Sequence, residues 1–307
     1  MPMPLPYKNV FFDENSMCHF DELNEKEYLL NVIGQLSSTL GERAHKFCFI
    51  IFSGSNNKYI PASANHDFEG KKKILFYISD EFGKTAIELK NYYYRVFKSY
   101  LSHQAANNIF PFPLGHINGV NFSDAQILPV SQRQTDFFFC GNLNRNRIDF
   151  FKQFTNIKRA PSFILQLIIK SNFIKEKAIE WGNTRTANNF IQFTTAFKRG
   201  LPVDEYNKKL LDSKIVFCPA GFNSKETFRH FEALSAGCIV ISEKLPDTCL
   251  YQNAPIIQIG NWKEGVQIAN SLINKPGEML RLQNDSIKFY NHNYSPKAVA
   301  EFIISTL

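Results

Sequence analysis

Arg229 and Glu232 stand three residues apart in the segment Lys214 to Ser242, KIVFCPAGFNSKETFRHFEALSAGCIVIS. At that spacing they share one face of a helix. A guanidinium can grip a phosphate with two prongs. A carboxylate can accept hydrogen bonds from two neighbouring hydroxyls, as on a ribose, and phosphate plus diol describes a nucleoside diphosphate. The elements around the pair suit that chemistry. Lys214 to Cys218 is apolar and β-branched and predicts a central strand, which Pro219 ends because it has no N–H to donate. Ala220 and Gly221 let backbone approach a ligand closely. Asn223 is the expected helix cap with Glu226 as its capping-box partner, and Gly237 is the expected stop. Phe228, Phe231 and Leu234 face the sheet, and Ala233, Ala236 and Gly237 let the helix sit close to it. Such a helix aims its free N–H groups and positive dipole end at the strand-end crevice, where an anion binds. The alternative is an Arg229–Glu232 surface pair that contributes a few tenths of a kcal/mol. Spacing alone leaves both open.

The same residues resemble a known signature. Cys218-Pro219-Ala220-Gly221, then Thr227 to Leu234 (TFRHFEAL), then Gly237-Cys238-Ile239 resemble the exostosin-like glycosyltransferases, a branch of the GT-B class. Glu205 to Pro219 is similar to that family's helix-then-strand run, and Leu245 to Ile259 to the stretch that follows. Phe138 to Asn142 (FFCGN) with Arg145 and Arg147 resembles the opening strand and basic loop of its donor domain, and Asn108 to Gly115 has a fainter likeness. The resemblance implies a GT-B fold, in which two Rossmann-like doubly wound α/β domains face each other across a cleft. It implies that Glu232 holds the ribose and Arg229 the diphosphate. Gly221, Ser224, Lys225 and Thr227 would line the phosphate path, with Gly141, Arg145 and Arg147 approaching from the domain's first loop. The family's Glu-x7-Glu pattern is absent, since Glu226 and Glu232 are six apart, and Thr227 replaces the usual serine. The chain is short for an exostosin and shows no membrane anchor, so a bacterial or viral surface-glycan enzyme fits best.

The expected reaction moves a sugar from a nucleotide-diphosphate sugar, UDP-sugar favoured, to a glycan hydroxyl, on an acceptor that is free or lipid-linked. GDP- or CMP-sugars, or a non-catalytic nucleotide- or nucleic-acid-binding role, are the alternatives. No Asp-x-Asp triplet occurs, Asp67-Phe68-Glu69 being the nearest, and the histidines show no ligand spacing. No metal and no cofactor are therefore expected, and Arg229 with the helix amides would neutralise the leaving diphosphate. Inverting transfer needs a base. Asp80 and Glu81, after the apolar run Ile74 to Ile78, and His116 are the candidates, with helix capping as the competing role for the two acids. Lys71, Lys72 and Lys73 could meet a phosphorylated acceptor or a membrane surface, or form a solvated strand end. Tyr92, Tyr93, Tyr94 and Phe97 could stack on sugars or pack.

Two domains suit 307 residues with 44% hydrophobic and 21% charged content, an ordinary globular composition. The pattern predicts a helix from Glu25 to Leu40, strands Lys46 to Phe52 and Ile74 to Ile78, and a helix from Thr85 to Leu101. After a polar linker (118–134) it predicts strand Asp136 to Cys140, helices over 147–154 and 164–169, then strands and helices alternating to the end. The expected domains are 1–130 for the acceptor, 131–285 for the nucleotide sugar, and 286–307 as a C-terminal helix returning toward the first. Open parallel sheets bind ligands beyond their carboxyl ends. Residues 141–200 hold eleven Lys or Arg against three Asp or Glu, +8 of the +7 total, which leaves −1 elsewhere. That block suggests an anionic partner or a solvated face. It is not interleaved with aromatics, so nucleic acid is not the expected partner. No apolar run reaches the length of a spanning helix, and prolines occupy the N-terminus where a signal peptide would be apolar. Six scattered cysteines read as reduced core thiols. A cytoplasmic protein with at most peripheral contact to the cytosolic membrane face is expected.

Overall fold

The computed structural model describes the chain except residues 1–2, 6, 55–59, 84–86, 104–105, 123–124, 156–160, 162, 164, 167–169, 171, 183, 187 and 197–198. It divides into two compact units, one of residues 1–118, 246–253 and 291–307, the other of 119–245 and 254–290. Each is Rossmann-like, built on a six-stranded, mainly parallel sheet with cover on both faces.

In the first unit the strands run in sequence order: β1 (Met3–Pro4), β2 (Val10–Phe12), β3 (Phe47–Ser53), β4 (Lys72–Ile78), β5 (Arg95–Lys98) and β6 (Ile109–Pro111). β1 is antiparallel to β2 and the rest are parallel. Phe49, Ile51, Ile74, Phe76 and Ile78 point to one face, where α1 (Lys26–Leu40) packs with Leu29, Val32, Ile33 and Leu36. Cys48, Ile50, Phe52, Leu75 and Tyr77 point to the other, under Phe68, Leu89 and Tyr93. Burial on both faces is why β3 and β4 read as continuous apolar runs.

The expected helix from Thr85 to Leu101 is not formed. Its described part holds a 3-10 turn at Ile87–Asn91 and then β5, in register with β4 through Phe76↔Phe97. Aromatic and β-branched residues at Tyr92 to Phe97 favour the pleated surface. The aromatic cluster serves packing: Tyr93 is buried with its hydroxyl 2.9 Å from that of Ser63, and Tyr94 donates to the carbonyl of Leu307. Lys73 is likewise held by the carbonyls of Ser63 and His66, and Lys72 lies 4.2 Å over the Tyr94 ring.

The second unit holds β7 (Thr135–Asn142), α2 (Ile148–Gln153), α3 (Asn172–Gly182), β8 (Thr184–Thr186), β9 (Asn189–Thr194), α4 (Val203–Leu211), β10 (Ser213–Cys218), α5 (Phe228–Ser235), β11 (Ile239–Glu243), β12 (Ile256–Ile259) and α6 (Trp262–Ile273). α7 (Pro276–Asn293) runs out of it, and α8 (Pro296–Thr306) belongs to the first unit, with Val299, Ala300 and Ile303 in the core beside α1. The expected helix over 164–169 falls largely outside the described residues. The strand order is β12-β11-β10-β7-β9-β8, parallel except for β8 against β9. The chain leaves β7 on one side to form β8 and β9, then crosses to the other side for β10. The order therefore reverses between β7 and β10, and ligands of open α/β sheets sit at the carboxyl ends of such a pair. The first unit's sheet has no such reversal among its described strands. Among the described residues no helix is long and apolar enough to cross a membrane.

Candidate functional site

β7 ends in Cys140-Gly141-Asn142 and β10 in Cys218. α5 starts beside them, and its cap differs from the expected Asn223–Glu226 pair. Thr227 is the N-cap, and its main-chain N–H donates to His230 Nδ1 at 3.2 Å. His230 Nε2 lies 2.7 Å from Ser242 Oγ, which donates to the Cys218 carbonyl at 3.3 Å. The imidazole is neutral, held through Nδ1 by Thr227 and through Nε2 by Ser242. Burial holds His230 in that form, lowering its pKa to about 4. The histidine thus pins the first turn of α5 to β10 and β11.

That turn carries Arg229. Its Nη2 donates to the Cys140 carbonyl, and its guanidinium lies 4.8 Å over the Phe139 ring. Nε and Nη1 are buried and have no hydrogen-bond partner in the protein. Buried donors without acceptors are rare and costly, so a pair of them on one guanidinium points to an acceptor from outside. Burial works against the charge, but Tyr206, Cys218 and Glu232 outweigh it and raise the guanidinium's pKa, so the site is cationic at every ordinary pH. A Cβ on Gly141 would come within 2.9 Å of Arg229 Nη2 and 3.0 Å of Arg147 Nη1, so any side chain there would push these guanidiniums aside. Glu232, one turn further, is 2% exposed and accepts from the Tyr206 hydroxyl of α4 at 2.7 Å. Burial, then the Glu232 charge, raises Tyr206 well above the usual phenol range, so it stays a donor.

Arg147 is engaged elsewhere. Nε donates to the Ala220 carbonyl at 2.7 Å, and Nη1 to the carbonyl and Oδ1 of Asn142 at 2.8 and 2.7 Å. It therefore clamps two loops, in place of the phosphate contact expected of it. Asn146 Nδ2 holds the carbonyls of Gly221 and Phe222 at 2.9 and 2.8 Å. The Gly221 N–H is likewise used, by the Ser224 carbonyl at 2.7 Å, and Ser224 Oγ accepts from the Glu226 N–H. Glu243 completes the frame, accepting from the Ala220 N–H at 2.9 Å and from Trp262 Nε1 at 2.7 Å. Arg145 and Lys225 are exposed at the rim.

The base candidates lie in the first unit. Asp80 is fully buried in an ion pair with Lys98 at 2.9 Å, both side chains 0% exposed, so it is a structural carboxylate. Glu81 is half-buried, and His116 packs 5.5 Å from the Tyr28 ring. Tyr206, His230 and Glu243 escaped the sequence reading. Among the described residues no group of three or more His, Cys, Asp or Glu side chains is gathered as a metal site requires. A cavity of about 460 Å³ lies at the opposite end of β7, lined by Asp136, Asn189 and Asn274 among others, away from Arg229.

No family model matches the chain, and no curated protein matches it. It is similar in shape to the Anabaena protein HepE crystallised with UDP, at 12% identity and a TM-score of 0.48, over 88% of this chain and 81% of that one. A glycosyltransferase from Rickettsia africae matches at 13% and 0.48, over 94% and 82%. An α-glucosyltransferase crystallised with UDP and a 13-mer DNA matches at 11% and 0.49, over 92% and 84%.

Proposed function

We propose that this protein is a glycosyltransferase that moves a sugar from a nucleotide-diphosphate donor, a UDP-sugar by preference, to a hydroxyl of a glycan acceptor. The observation that carries the reading is the Arg229 guanidinium, with two buried donors that lack protein acceptors. It stands where the strand order reverses, one turn from a carboxylate oriented by Tyr206. The diphosphate takes the unpartnered edge of Arg229, aided by the N-terminal dipole of α5. Glu232 receives the ribose hydroxyls. As the bond to the sugar's anomeric carbon breaks, charge on the departing diphosphate grows, and a cation already held in place stabilises that charge most. The resemblance of residues 205–260 to exostosin-like transferases supports the same assignment, as does the rim position of Arg145 and Lys225. We further propose that transfer proceeds without a metal, and that the protein works in the cytoplasm, where its free thiols stay reduced.

A thermal-shift screen against UDP-, GDP- and CMP-sugars, followed by chromatography of the products, tests this reading. Stabilisation by a UDP-sugar and release of UDP, in EDTA as well as in magnesium, are expected. Binding without release of nucleoside diphosphate would make the protein a silent receptor. No stabilisation by any nucleotide sugar would defeat the proposal.

A further inference from the structure

The cavity of about 460 Å³ beside Asp136 has a lining unlike that of the crevice around Arg229, and it lies wholly within the second unit. Asp136 and Gly141 stand near opposite ends of β7, about 17 Å apart at the rise of a strand, so the two places are separate. Three elements meet at the cavity. β7 supplies Asp136 and Phe137, the turn into β9 supplies Asn188 and Asn189, and the end of α6 supplies Asn270, Ile273 and its C-cap Asn274. Asn270 and Asn274 are four apart, so their carboxamides share one helix face. Each spends an N–H on a main-chain carbonyl, Asn270 on that of Val266 at 2.8 Å and Asn274 on that of Asn270 at 3.2 Å, which leaves each Oδ1 open to a donor. Asn189 Oδ1 is buried without a hydrogen-bond partner in the protein, which points to a donor from outside. Asp136 accepts from Lys214 at 2.6 Å, and its main-chain N–H donates to the Asn188 carbonyl at 2.6 Å, so strand and turn are tied together and this wall is set in advance.

The chemistry of the lining selects its occupant. An anion needs a cation, and the lining holds none, the neighbouring Lys214 being engaged by Asp136. A divalent metal needs several oxygen ligands, most of them charged, and the single carboxylate here is already paired. An apolar ligand would strand the carboxamides without partners. A neutral molecule rich in hydroxyls meets every demand. Each hydroxyl donates and accepts, as carboxamides do, and a carboxylate accepts. Phe137 and Ile273 offer an apolar patch for C–H groups. The volume falls within the roughly 300–1,000 Å³ of small-ligand sites. We propose that this cavity binds a neutral glycan, as a carbohydrate site distinct from the donor crevice. The assignment rests on its own lining and not on the glycosyltransferase reading. Where both hold, a glycan retained here raises the local concentration of acceptor ends around the protein.

Saturation-transfer NMR on the full chain with millimolar maltose, cellobiose, lactose and N,N′-diacetylchitobiose tests the assignment. Transfer to the protons of at least one of these sugars is expected, and saturating UDP should leave it undiminished. Replacing both helix carboxamides, Asn270→Ala with Asn274→Ala, should weaken the sugar roughly tenfold, as expected for two lost hydrogen bonds. Both residues are exposed, so the double variant should keep the wild-type melting temperature and UDP affinity. Asn189→Leu, of similar volume, should weaken the sugar as well. Transfer to none of the sugars, transfer abolished by UDP, or transfer unchanged in the double variant would overturn the assignment. Sugar binding in a protein with no affinity for UDP would support this site while defeating the donor reading.

Discussion

Replacing Arg229 with alanine separates recognition from folding. In the unliganded protein the guanidinium makes one hydrogen bond, to the Cys140 carbonyl, and one ring contact, with Phe139. Those contribute about 1–2 kcal/mol to stability together. Against that stand two buried donors without acceptors, each costing about 1–3 kcal/mol. Glu232 loses a neighbouring positive charge, but keeps Tyr206 as its donor. The two donors together cost about 2–6 kcal/mol, more than the bond and ring contact contribute, and the lost cation beside Glu232 offsets part of the difference, so Arg229→Ala should unfold in urea no more than about 1.5 kcal/mol below wild type. Binding has no such offset. Loss of a charged hydrogen bond to a diphosphate costs about 1.5–3 kcal/mol, roughly a 10- to 150-fold rise in Kd. Calorimetry with UDP and urea titrations on the same preparation measure both. Unchanged affinity would refute the phosphate role. A loss of more than about 3 kcal/mol of stability with normal affinity would make Arg229 a structural residue.

Gly141→Ala should weaken UDP binding more than it lowers the melting temperature, because the new methyl displaces Arg229 Nη2 while the strand pairing of β7 stays intact; equal binding in calorimetry would contradict this. Asp80→Asn should destabilise the fold by about 3–5 kcal/mol by leaving Lys98 buried and uncompensated, whereas Asp80→Leu with Lys98→Met should recover much of the loss. Denaturation curves for the two variants and wild type decide between this and a kinetic role. His230 has a depressed folded-state pKa, about 4, against 6.5 when unfolded. Its stabilising effect is full above pH 6.5 and lost as pH falls toward 4, because the unfolded chain then binds the extra proton. The loss amounts to about 3 kcal/mol. His230→Gln should show a flatter stability profile over that window, and an unchanged profile would contradict the buried neutral imidazole.

The second unit was legible because its apolar runs DFFFC, KIVFC and CIVIS are short, β-branched or aromatic, and bounded by Pro, Gly or Asn. They became β7, β10 and β11. β5 was misread because Tyr93, Val96 and Phe97 fit helical spacing while a strand buried on both faces shows no alternation, and Lys98, the polar residue that should have marked a surface, is buried against Asp80. Arg229 and Glu232 were visible as a pair on one helix face. The Tyr206 bond to Glu232 was not, since it joins residues 26 positions apart that only the sheet brings together. The cap of α5 was assigned to Asn223 on residue type, yet a histidine three residues into the turn does the work from Thr227. The cap of α1 could not be read locally, because Asn118 supplies it from 91 residues beyond the amide it accepts from. The basic block was readable as charge but not as destination: Arg147 inside it donates to four oxygen atoms of the protein itself.

The segment from Ala220 to Phe222 is tied at nearly every main-chain group, its carbonyls to Arg147 and Asn146 and its first two amides to Glu243 and Ser224. Conformational freedom there, worth about 1–2 kcal/mol per residue, is surrendered when the chain folds. On the proposed reading, an arriving nucleotide meets a surface already set, and association carries little entropic penalty from this stretch. Recognition and thermal tolerance are then coupled: whatever loosens the three side chains that fasten the loop erodes both at once.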